Sequence, residues 1–419
     1  MALGLAFACL VPTVASAAPV VSQSNGRLLD IDGAVGGLTD VVAELRGAVA
    51  VNSDASGDVI VDKPLNASVL SSLELTSTGV NLLGDNGIIQ LGAVGQYARA
   101  NDDGSSVAFS GGVSNASSLI GVGAGEVTPS DVGSPDGNAS ISLSTKQILG
   151  GTTDLVKLGI DVGALAASAE QTVDGKQTGK YVLADVGINV GGTAVQPTGV
   201  TLYNALNTLL QAAKVAGLTL PNPLKADGSV ALTEEDLLAA AGVSSLNELP
   251  PNTDLLQYVP AAVVKKLTTS VNDILDAVQA KVDQMGPLAG AILAAALRTA
   301  RNVINPVLNG LGTTVEGPLA AAIKPLAALV VNGKSTGEDG SFTQTALRVQ
   351  LGPNGSLATV DLASATVGPN AGEMAVPLAG PESLSVGGAV IALAAVVGFV
   401  VIRRRRTEQN SAVTVGKGV

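Results

Sequence analysis

The predicted fold is decided by a stretch near the end of the chain: Ser341–Leu351 (SFTQTALRVQL), Gly352–Gly355 (GPNG) and Ser356–Val367 (SLATVDLASATV). Asn-Gly closes the central tetrapeptide, and this pair is typical of tight turns between antiparallel strands. The two flanking runs are therefore predicted to form a β-hairpin. Because an isolated hairpin is only marginally stable, its strands need partners, and the nearest candidates lie upstream.

Short strand-like runs recur between about residues 27 and 200, and turn residues separate them. The short runs are Val59–Val61, Ser68–Leu75, Gly87–Leu91, Val107–Phe109 and Ser140–Leu143. Two longer runs, Asp154–Gln171 and Lys180–Val190, flank Asp174-Gly175-Lys176. In the second of them, apolar residues alternate with other residues from Val182 to Val190. Period two predicts a strand with one apolar face, so these long runs are predicted to form a second hairpin.

The hydrophobic period changes to that of a helix between residues 201 and 335. Leu202–Val215 is predicted to be a helix, and Thr233 with Asp236 carries a capping signature. A longer apolar stripe predicts an amphipathic helix that Gly286-Pro287 ends. The stripe consists of Val263, Leu267, Val271, Ile274, Val278, Val282 and Met285. A second, Ala-rich helix follows to about Ile304, and Pro306, Pro318 and Pro325 are predicted to divide the remaining sequence into short helices.

The stripe has two interpretations, packing inside a helical hairpin and binding of a partner, and packing is the expected one. The predicted fold class is α+β: a mainly antiparallel, sandwich-like exported β domain with an inserted Ala-rich helical hairpin or bundle. A C-terminal transmembrane helix completes the predicted fold. The late hairpin is expected to return to the upstream sheet, which makes the helical block an insertion between sheet strands.

Both ends of the chain are predicted to carry targeting signals. Met1–Ala17 is apolar and ends in Ala-Ser-Ala, which predicts signal cleavage between Ala17 and Ala18. Leu384–Ile402 (LSVGGAVIALAAVVGFVVI) has no charge and would span about 28 Å as a helix, close to the thickness of a bilayer core. Arg403, Arg404, Arg405 and Arg406 follow directly. This order predicts a membrane anchor with the body outside and the arginines in the cytoplasm.

The predicted organisation has seven parts. They are a signal peptide (1–17), a β-rich exported region (18–200), a helical region (201–335), a returning β-hairpin (336–370), a stalk rich in Pro, Gly and Ala (371–383), a transmembrane anchor (384–402) and a cytoplasmic tail (403–419). The predicted location is the cell surface, as a single-pass membrane protein with an exported N-terminal domain.

Composition excludes several classes of function. The chain has no His and a single Cys, Cys9, in the predicted signal peptide, so catalytic triads and Cys or His metal sites are excluded from the exported part. A net charge of −12 argues against a nucleic-acid partner. Paired carboxylates of the glycosidase type stay open. Only 2% of the residues are aromatic, however, which leaves little surface for stacking on a sugar.

One candidate metal site is present. Asn52, Asp54, Ser56 and Asp58 space their side-chain oxygens like the first half of a calcium loop. Position twelve of that count is Lys63, where a bidentate Glu belongs. Asn, Asp and Gly are also ordinary turn residues, so a solvated turn is the expected interpretation. No metal and no cofactor is predicted beyond this candidate.

Five features occur together: the Ala15-Ser16-Ala17 site, the strand-rich region, the Ala-rich region, the segment from Thr345–Val349 to Ala363–Asn370, and the terminal apolar run. In this combination the chain resembles the choice-of-anchor G proteins, a family of actinobacterial surface proteins. It implies surface display and no known chemistry. Leu378–Glu382 lies where sortase-attached relatives carry Leu-Pro-x-Thr-Gly, but it lacks the Thr-Gly bond that a sortase cuts. A retained membrane helix is therefore expected over covalent attachment to the wall.

Two classes of function follow as expectations. The first is a surface-displayed structural or adhesive protein without catalytic chemistry, whose partners are the membrane through the C-terminal helix and a cell-wall polymer or another surface protein. The alternative is a carbohydrate-active or wall-remodelling enzyme that uses paired carboxylates. A cleft with two carboxyls about 5 to 10 Å apart would favour the enzyme.

Overall fold

The computed structural model describes residues 20–32, 47–63, 75–77, 80–83, 89–90, 93–113 and 139–371. All of them belong to the first of two units, Met1–Gly372. The second unit, Glu373–Val419, lies outside the described residues. The predicted signal peptide, its cleavage site at Ala17 and Ala18, and nearly all of the predicted stalk also lie outside them.

The described residues form strands and helices in three stretches. The first stretch holds β1 (Ser22–Asp32), β2 (Ala48–Asn52), β3 (Val59–Asp62), β4 (Leu75–Ser77), β5 (Val80–Leu83), β6 (Ile89–Gln90), β7 (Ala93–Ala100), β8 (Ser106–Val113), β9 (Ala139–Ser144), α1 (Thr145–Leu149), β10 (Lys157–Val162), β11 (Ala164–Gln171), β12 (Gln177–Ala184) and β13 (Gly187–Gly191). The second holds α2 (Gln196–Val215), β14 (Val230–Leu232), α3 (Glu234–Ala241), β15 (Thr253–Asp254), α4 (Val259–Gln284), α5 (Pro287–Leu311) and α6 (Gly317–Ile323). The third holds β16 (Ala327–Thr336), β17 (Phe342–Leu351) and β18 (Ala358–Val367).

The strands build antiparallel sheets. Sheet I has the order β15-β16-β17-β18-β1-β2, sheet II the order β12-β11-β8-β7-β3, and sheet III the order β14-β13-β10-β9-β6. β4 and β5 pair with each other. The architecture is therefore mixed α/β with antiparallel sheets.

The late hairpin returns to the start of the chain. β17 and β18 pair across a turn that contains Pro353–Gly355, and β18 then pairs with β1 from Ser24↔Val367 to Asp32↔Thr359. Strands from the two ends of the described chain are thus neighbours in sheet I. The helices between them in sequence are an insertion, as the need of the hairpin for partners predicts.

Sheet I packs face to face on sheet II through small and polar side chains. Buried Ala, Ser and Gly dominate the contact between β1 and the strands β7 and β8. A Cβ placed on Gly26 would lie 2.2 Å from the carbonyl oxygen of Phe109 and 2.4 Å from that of Tyr97. The two backbones therefore approach more closely here than any side chain allows. Ser24 adds a hydrogen bond between the sheets, because its Oγ donates to the Arg99 carbonyl at 3.0 Å.

The two long upstream runs bend instead of continuing as single strands. Each is split at a corner, at Gly163 in one run and at Asp185 (φ 56°) in the other, and each passes there from one sheet to another. The Gly163 amide donates to the carbonyl oxygens of Ala184 and Asp185, at 3.2 and 3.3 Å.

The single apolar face predicted from Val182 to Val190 is therefore wrong. Tyr181 and Leu183 are buried before the corner, whereas Val186, Ile188 and Val190 are buried after it. The buried positions change from odd to even because the two halves pack in different sheets.

The helices cover sheet I and sheet III over one continuous hydrophobic core. α4 buries Val263, Leu267, Val271, Ile274 and Val278 in that core and packs against α5, so the predicted stripe is a packing surface. The Thr233 capping box at the start of α3 is present.

Two predicted boundaries in the helical region are wrong. α5 runs through Pro306 to Leu311. The predicted helical region, 201–335, ends too late, because Ala327–Thr336 is β16, whose backbone is recruited as a strand by pairing with β17.

The transmembrane helix that was predicted as part of the fold is contradicted. No helix in the described part of the chain is long and apolar enough to cross a membrane. The long helix α4 has an apolar stripe on one side and charged residues such as Lys265, Asp273 and Lys281 elsewhere. Its apolar stripe is buried in the protein core. The predicted anchor, Leu384 to Ile402 with Arg403–Arg406, lies outside the described residues.

Candidate functional site

A cleft of about 370 Å³ opens where sheet I meets the helices, at the end where β16 begins and β17 ends. Its wall is formed by the start of α4, by α6, and by the turn that follows β17. The lining residues are Asp254, Leu256, Gln257, Pro260, Ala320, Ile323, Lys324, Ala327, Ala328, Gln350, Gly352 and Asn354. The volume is at the small end of the range typical of ligand sites, about 300–1,000 Å³.

Asp254 is the half-buried carboxylate of this cleft, and its position follows from two local structures. As part of β15 it pairs with Val330 of β16, and it also caps the short 3₁₀ helix that leads into α4. Its Oδ1 accepts hydrogen bonds from the amides of Leu256 and Leu329, both at 3.0 Å. Burial raises the pKa of Asp254, although the two amides act in the opposite direction. Within the described residues, Oδ2 has no hydrogen-bond partner.

The rest of the cleft divides into an apolar floor and a polar rim. Leu256, Ile323 and Ala327 are buried and form the floor with Pro260. The rim carries Lys324 and the carboxamides Gln257, Gln350 and Asn354. The cleft thus combines one shielded carboxylate, one exposed cation, three groups that both donate and accept, and an aliphatic surface. This set is suited to non-covalent binding of a small polar ligand.

The segment that delivers Asp254, here called the edge strap (residues 244–254), runs along the edges of two sheets. At the sheet II edge, Tyr181 donates its hydroxyl proton to the carbonyl of Leu246, and the Leu183 amide donates to Asn247 Oδ1 at 3.1 Å. At the sheet I edge, the Lys334 amide donates to Asn252 Oδ1 at 3.1 Å. These bonds satisfy backbone groups that a free edge would expose, and they hold the strap in place.

The predicted calcium residues lie together, but in a turn at the other end of sheet I. Asn52 Oδ1 accepts from the Ala55 amide at 3.0 Å, and Asp54 Oδ1 accepts from the amide and the hydroxyl of Ser56 at 3.1 and 2.8 Å. Asp58 pairs with Arg99 at 2.5 Å. The Ser56 hydroxyl lowers the pKa of Asp54, and the Arg99 guanidinium lowers that of Asp58. The described residues contain no group of three or more His, Cys, Asp and Glu side chains that could hold a metal.

This turn follows a pattern that recurs along the chain. In four turns an Asp Oδ1 accepts from the amide and the hydroxyl of the Ser two positions later: Asp54–Ser56, Asp103–Ser105, Asp227–Ser229 and Asp339–Ser341. The Asn52–Asp58 segment thus shares its hydrogen-bond geometry with three other turns of the described chain.

Asp254 was missed by the sequence reasoning, although a signal for it exists. Pro250, Pro251 and Asn252 mark a turn, and an Asp directly before the apolar Leu255 and Leu256 is a typical helix N-cap. The cap predicts the local role of the residue. It does not predict that β16 and α6 close a cleft around it, because those contacts come from far along the chain.

The ends of the described chain meet at the opposite end of sheet I from the cleft. The Ala371 amide donates to the Val21 carbonyl at 3.1 Å, which places the two ends side by side. The ten residues of β18 separate this point from the cleft end. At the rise of a β-strand they span about 30 Å.

The chain belongs to the family described as a domain of unknown function, DUF8394, whose model matches residues 24–224 and 284–368. No curated protein and no solved structure was found to match it significantly. The family match leaves out residues 225–283. That segment contains the edge strap and one wall of the cleft, with Asp254, Leu256, Gln257 and Pro260.

Proposed function

We propose that this protein is an exported, surface-displayed binding module that contacts its partner through the cleft end of the body and carries out no catalysis. One observation carries the proposal: the two ends of the described chain lie together at one end of sheet I, and the cleft lies at the other. A body held through either chain end would present its cleft outward, about 30 Å from the point of attachment.

The sandwich supports a role in display. β1 and β18 pair along most of their length, so both ends of the described chain leave the body from neighbouring strands in the middle of sheet I. The turns with Asp54, Asp103 and Asp339 place exposed carboxylates at the end where the chain ends meet. A cell-wall polymer or another surface protein is the proposed class of partner. The resemblance to choice-of-anchor G proteins supports the same proposal.

The cleft favours binding over the enzyme alternative. A glycosidase needs two carboxyl groups that flank the scissile bond. Among the described residues that line the cleft, Asp254 is the only carboxylate. Its Oδ1 is also used for two structural hydrogen bonds, which suits a fixed acceptor better than a proton carrier.

Thiol labelling of intact cells tests the display. Cells expressing the full-length chain with Gln257→Cys at the cleft rim, or with Asp339→Cys at the other end, are treated with a membrane-impermeant maleimide. Both exposed positions are expected to label without lysis, with the unsubstituted chain as the background control because it carries only Cys9. A bulky maleimide is expected to react faster at position 257 than at position 339. Labelling that requires lysis would contradict the display, and equal rates would contradict the outward orientation of the cleft.

A further inference from the structure

We infer that the cleft binds the free amino end of a short peptide whose first residue has a small aliphatic side chain. The amino group contacts Asp254, the side chain rests on the floor, and the first carbonyl groups meet the rim. The inference rests on the proposed binding function and specifies its ligand. It does not depend on where the protein is located.

The shielded carboxylate selects the amino group. Asp254 lines the cleft, and both backbone amides that reach it bind Oδ1, which leaves Oδ2 without a hydrogen-bond partner among the described residues. A half-buried charge is costly unless a donor or an opposite charge meets it. An ammonium group supplies both, and hydrogen bonds between charged groups are about twice as strong as neutral ones.

The polar rim argues against a simple cation, such as a metal ion, as the ligand of the cleft. Lys324 is a second charged residue of the cleft. Its positive charge repels a cation that has no hydrogen-bond acceptor for it. Gln257, Gln350 and Asn354 present amide groups that match the carbonyl and N–H groups of a peptide. A ligand with an ammonium group at one end and peptide groups next to it satisfies Asp254 and the rim at the same time.

The floor and the volume limit the size of the ligand. The aliphatic residues that line the cleft are the buried Leu256, Pro260, Ile323 and Ala327 with the more exposed Ala320 and Ala328, and no aromatic residue is among the described lining residues. Sugars and quaternary ammonium groups, which bind on aromatic faces, are therefore poorly matched. A volume of about 370 Å³ accommodates only a few small residues.

Calorimetric titration of the purified full-length chain with Ala-Ala-Ala and with N-acetyl-Ala-Ala-Ala tests the inference. The free tripeptide is expected to bind at least about tenfold more tightly than the acetylated one, because acetylation removes the charge that meets Asp254. Asp254→Asn keeps an oxygen for the two amides and is expected to abolish the preference for the free amine. Asp339→Asn, in the turn between β16 and β17 at the other end of sheet I, is the matched control and should leave both affinities unchanged.

A second variant separates loss of binding from loss of folding. Ala320 is exposed on α6 and lines the cleft, so Ala320→Phe fills the cavity without removing a hydrogen bond. It is expected to abolish binding while the thermal unfolding midpoint stays within a few degrees of the unsubstituted chain. Equal binding of the two peptides, or binding that Ala320→Phe leaves intact, would overturn the inference. Failure of both peptides to bind would also overturn it, whereas the display proposal stands or falls on the cell labelling alone.

Discussion

Tyr181 is one of two residues of sheet II that form hydrogen bonds with the edge strap. Its side chain is buried, and its hydroxyl donates to the carbonyl of Leu246. Burial raises the pKa of Tyr181 to about 12. The folded protein therefore keeps the phenol proton at a pH where the unfolded chain, with a tyrosine pKa of about 10, loses it.

The sign of this shift predicts a loss of stability in base. Below about pH 10 the phenol is neutral in both states, and as pH rises from there to about 12 the unfolded state gains by ionising. Tyr181→Phe should remove this part of the pH dependence and should cost about 1 kcal/mol of unfolding free energy at neutral pH, because the Leu246 carbonyl loses its donor. Denaturant titrations at pH 8 and pH 11, compared with Tyr203→Phe, measure both effects. A Tyr181→Phe chain as base-sensitive as the unsubstituted one would contradict the prediction.

For single residues, the sequence predicted the local hydrogen bonds of a side chain better than the distant residues that the side chain contacts. The Asp-x-Ser turns and the cap at Thr233 follow from contacts within a few residues, so the local sequence is enough to predict them. Asp254 differs because its partner Leu329 is 75 positions away. A residue pattern carries no information on which distant strand arrives beside it.

The packing of sheet I on sheet II requires a glycine at position 26. Gly26 lies in β1 where sheet I crosses β7 and β8, and the carbonyl oxygens of Tyr97 and Phe109 occupy the space of a Cβ. A methyl group there has no flexible neighbour to displace, because both contacts are backbone atoms. The spacing of the two sheets is therefore set by this residue.

Gly26→Ala is expected to destabilise the fold by about 3 kcal/mol or more, the upper part of the range for overpacking. The control is Gly159→Ala in β10, where the nearest atom to an added Cβ is Asn189 Cβ at 3.9 Å. That change should alter the unfolding free energy by less than about 1 kcal/mol. Chemical denaturation of both variants provides the comparison. Similar values for the two would show that the sheets can separate at little cost.

Element boundaries were predictable where the local sequence enforces them. The late hairpin with Gly352–Gly355 and the break at Gly286-Pro287 were found where expected, since Asn-Gly and Gly-Pro limit the backbone directly. The corner at Asp185 was not predicted, because the alternation of apolar residues continues through it. The packing of the core decides which sheet each half of the run joins. The alternation has a period of two residues both before and after Asp185, so it does not mark the corner.

The molecule as a whole is closed by the pairing of its first and last described strands. Ala371 and Val21 are hydrogen bonded, so the two ends can be joined without spanning a gap. A permuted chain that links Ala371 to Val20 with a short Gly-Ser linker and opens between Asp174 and Gly175, in the exposed turn of β11 and β12, is expected to fold. Its thermal midpoint should lie within about 5 °C of the unpermuted residues 20–371.

The control is a permuted chain opened between Val162 and Gly163. This break falls in the corner between two sheets, where the Gly163 amide bonds two carbonyls, and it is expected to abolish cooperative unfolding. Calorimetry of both chains makes the comparison. If the chain opened at Asp174 unfolds without a cooperative transition, the pairing of β1 and β18 is not enough to hold the ends in register.

The sequence by itself determined the local features of this protein: the turns, the helix caps, the amphipathic stripe of α4, the hairpin at Gly352–Gly355 and its need for a partner. These follow from backbone preferences and hydrophobic period, which act within about ten residues. The exclusion of His-based chemistry also follows from the sequence alone, because the chain has no His.

Only the tertiary structure decided the rest. It assigned β10 and β11 to different sheets, made Ala327–Thr336 a strand, gave no membrane-crossing helix among the described residues, and brought Asp254, Lys324 and Gln350 to one cleft. The physical reason is that packing and strand pairing join residues that are far apart in the chain. Their free energy depends on the complete set of neighbours, which no local pattern records.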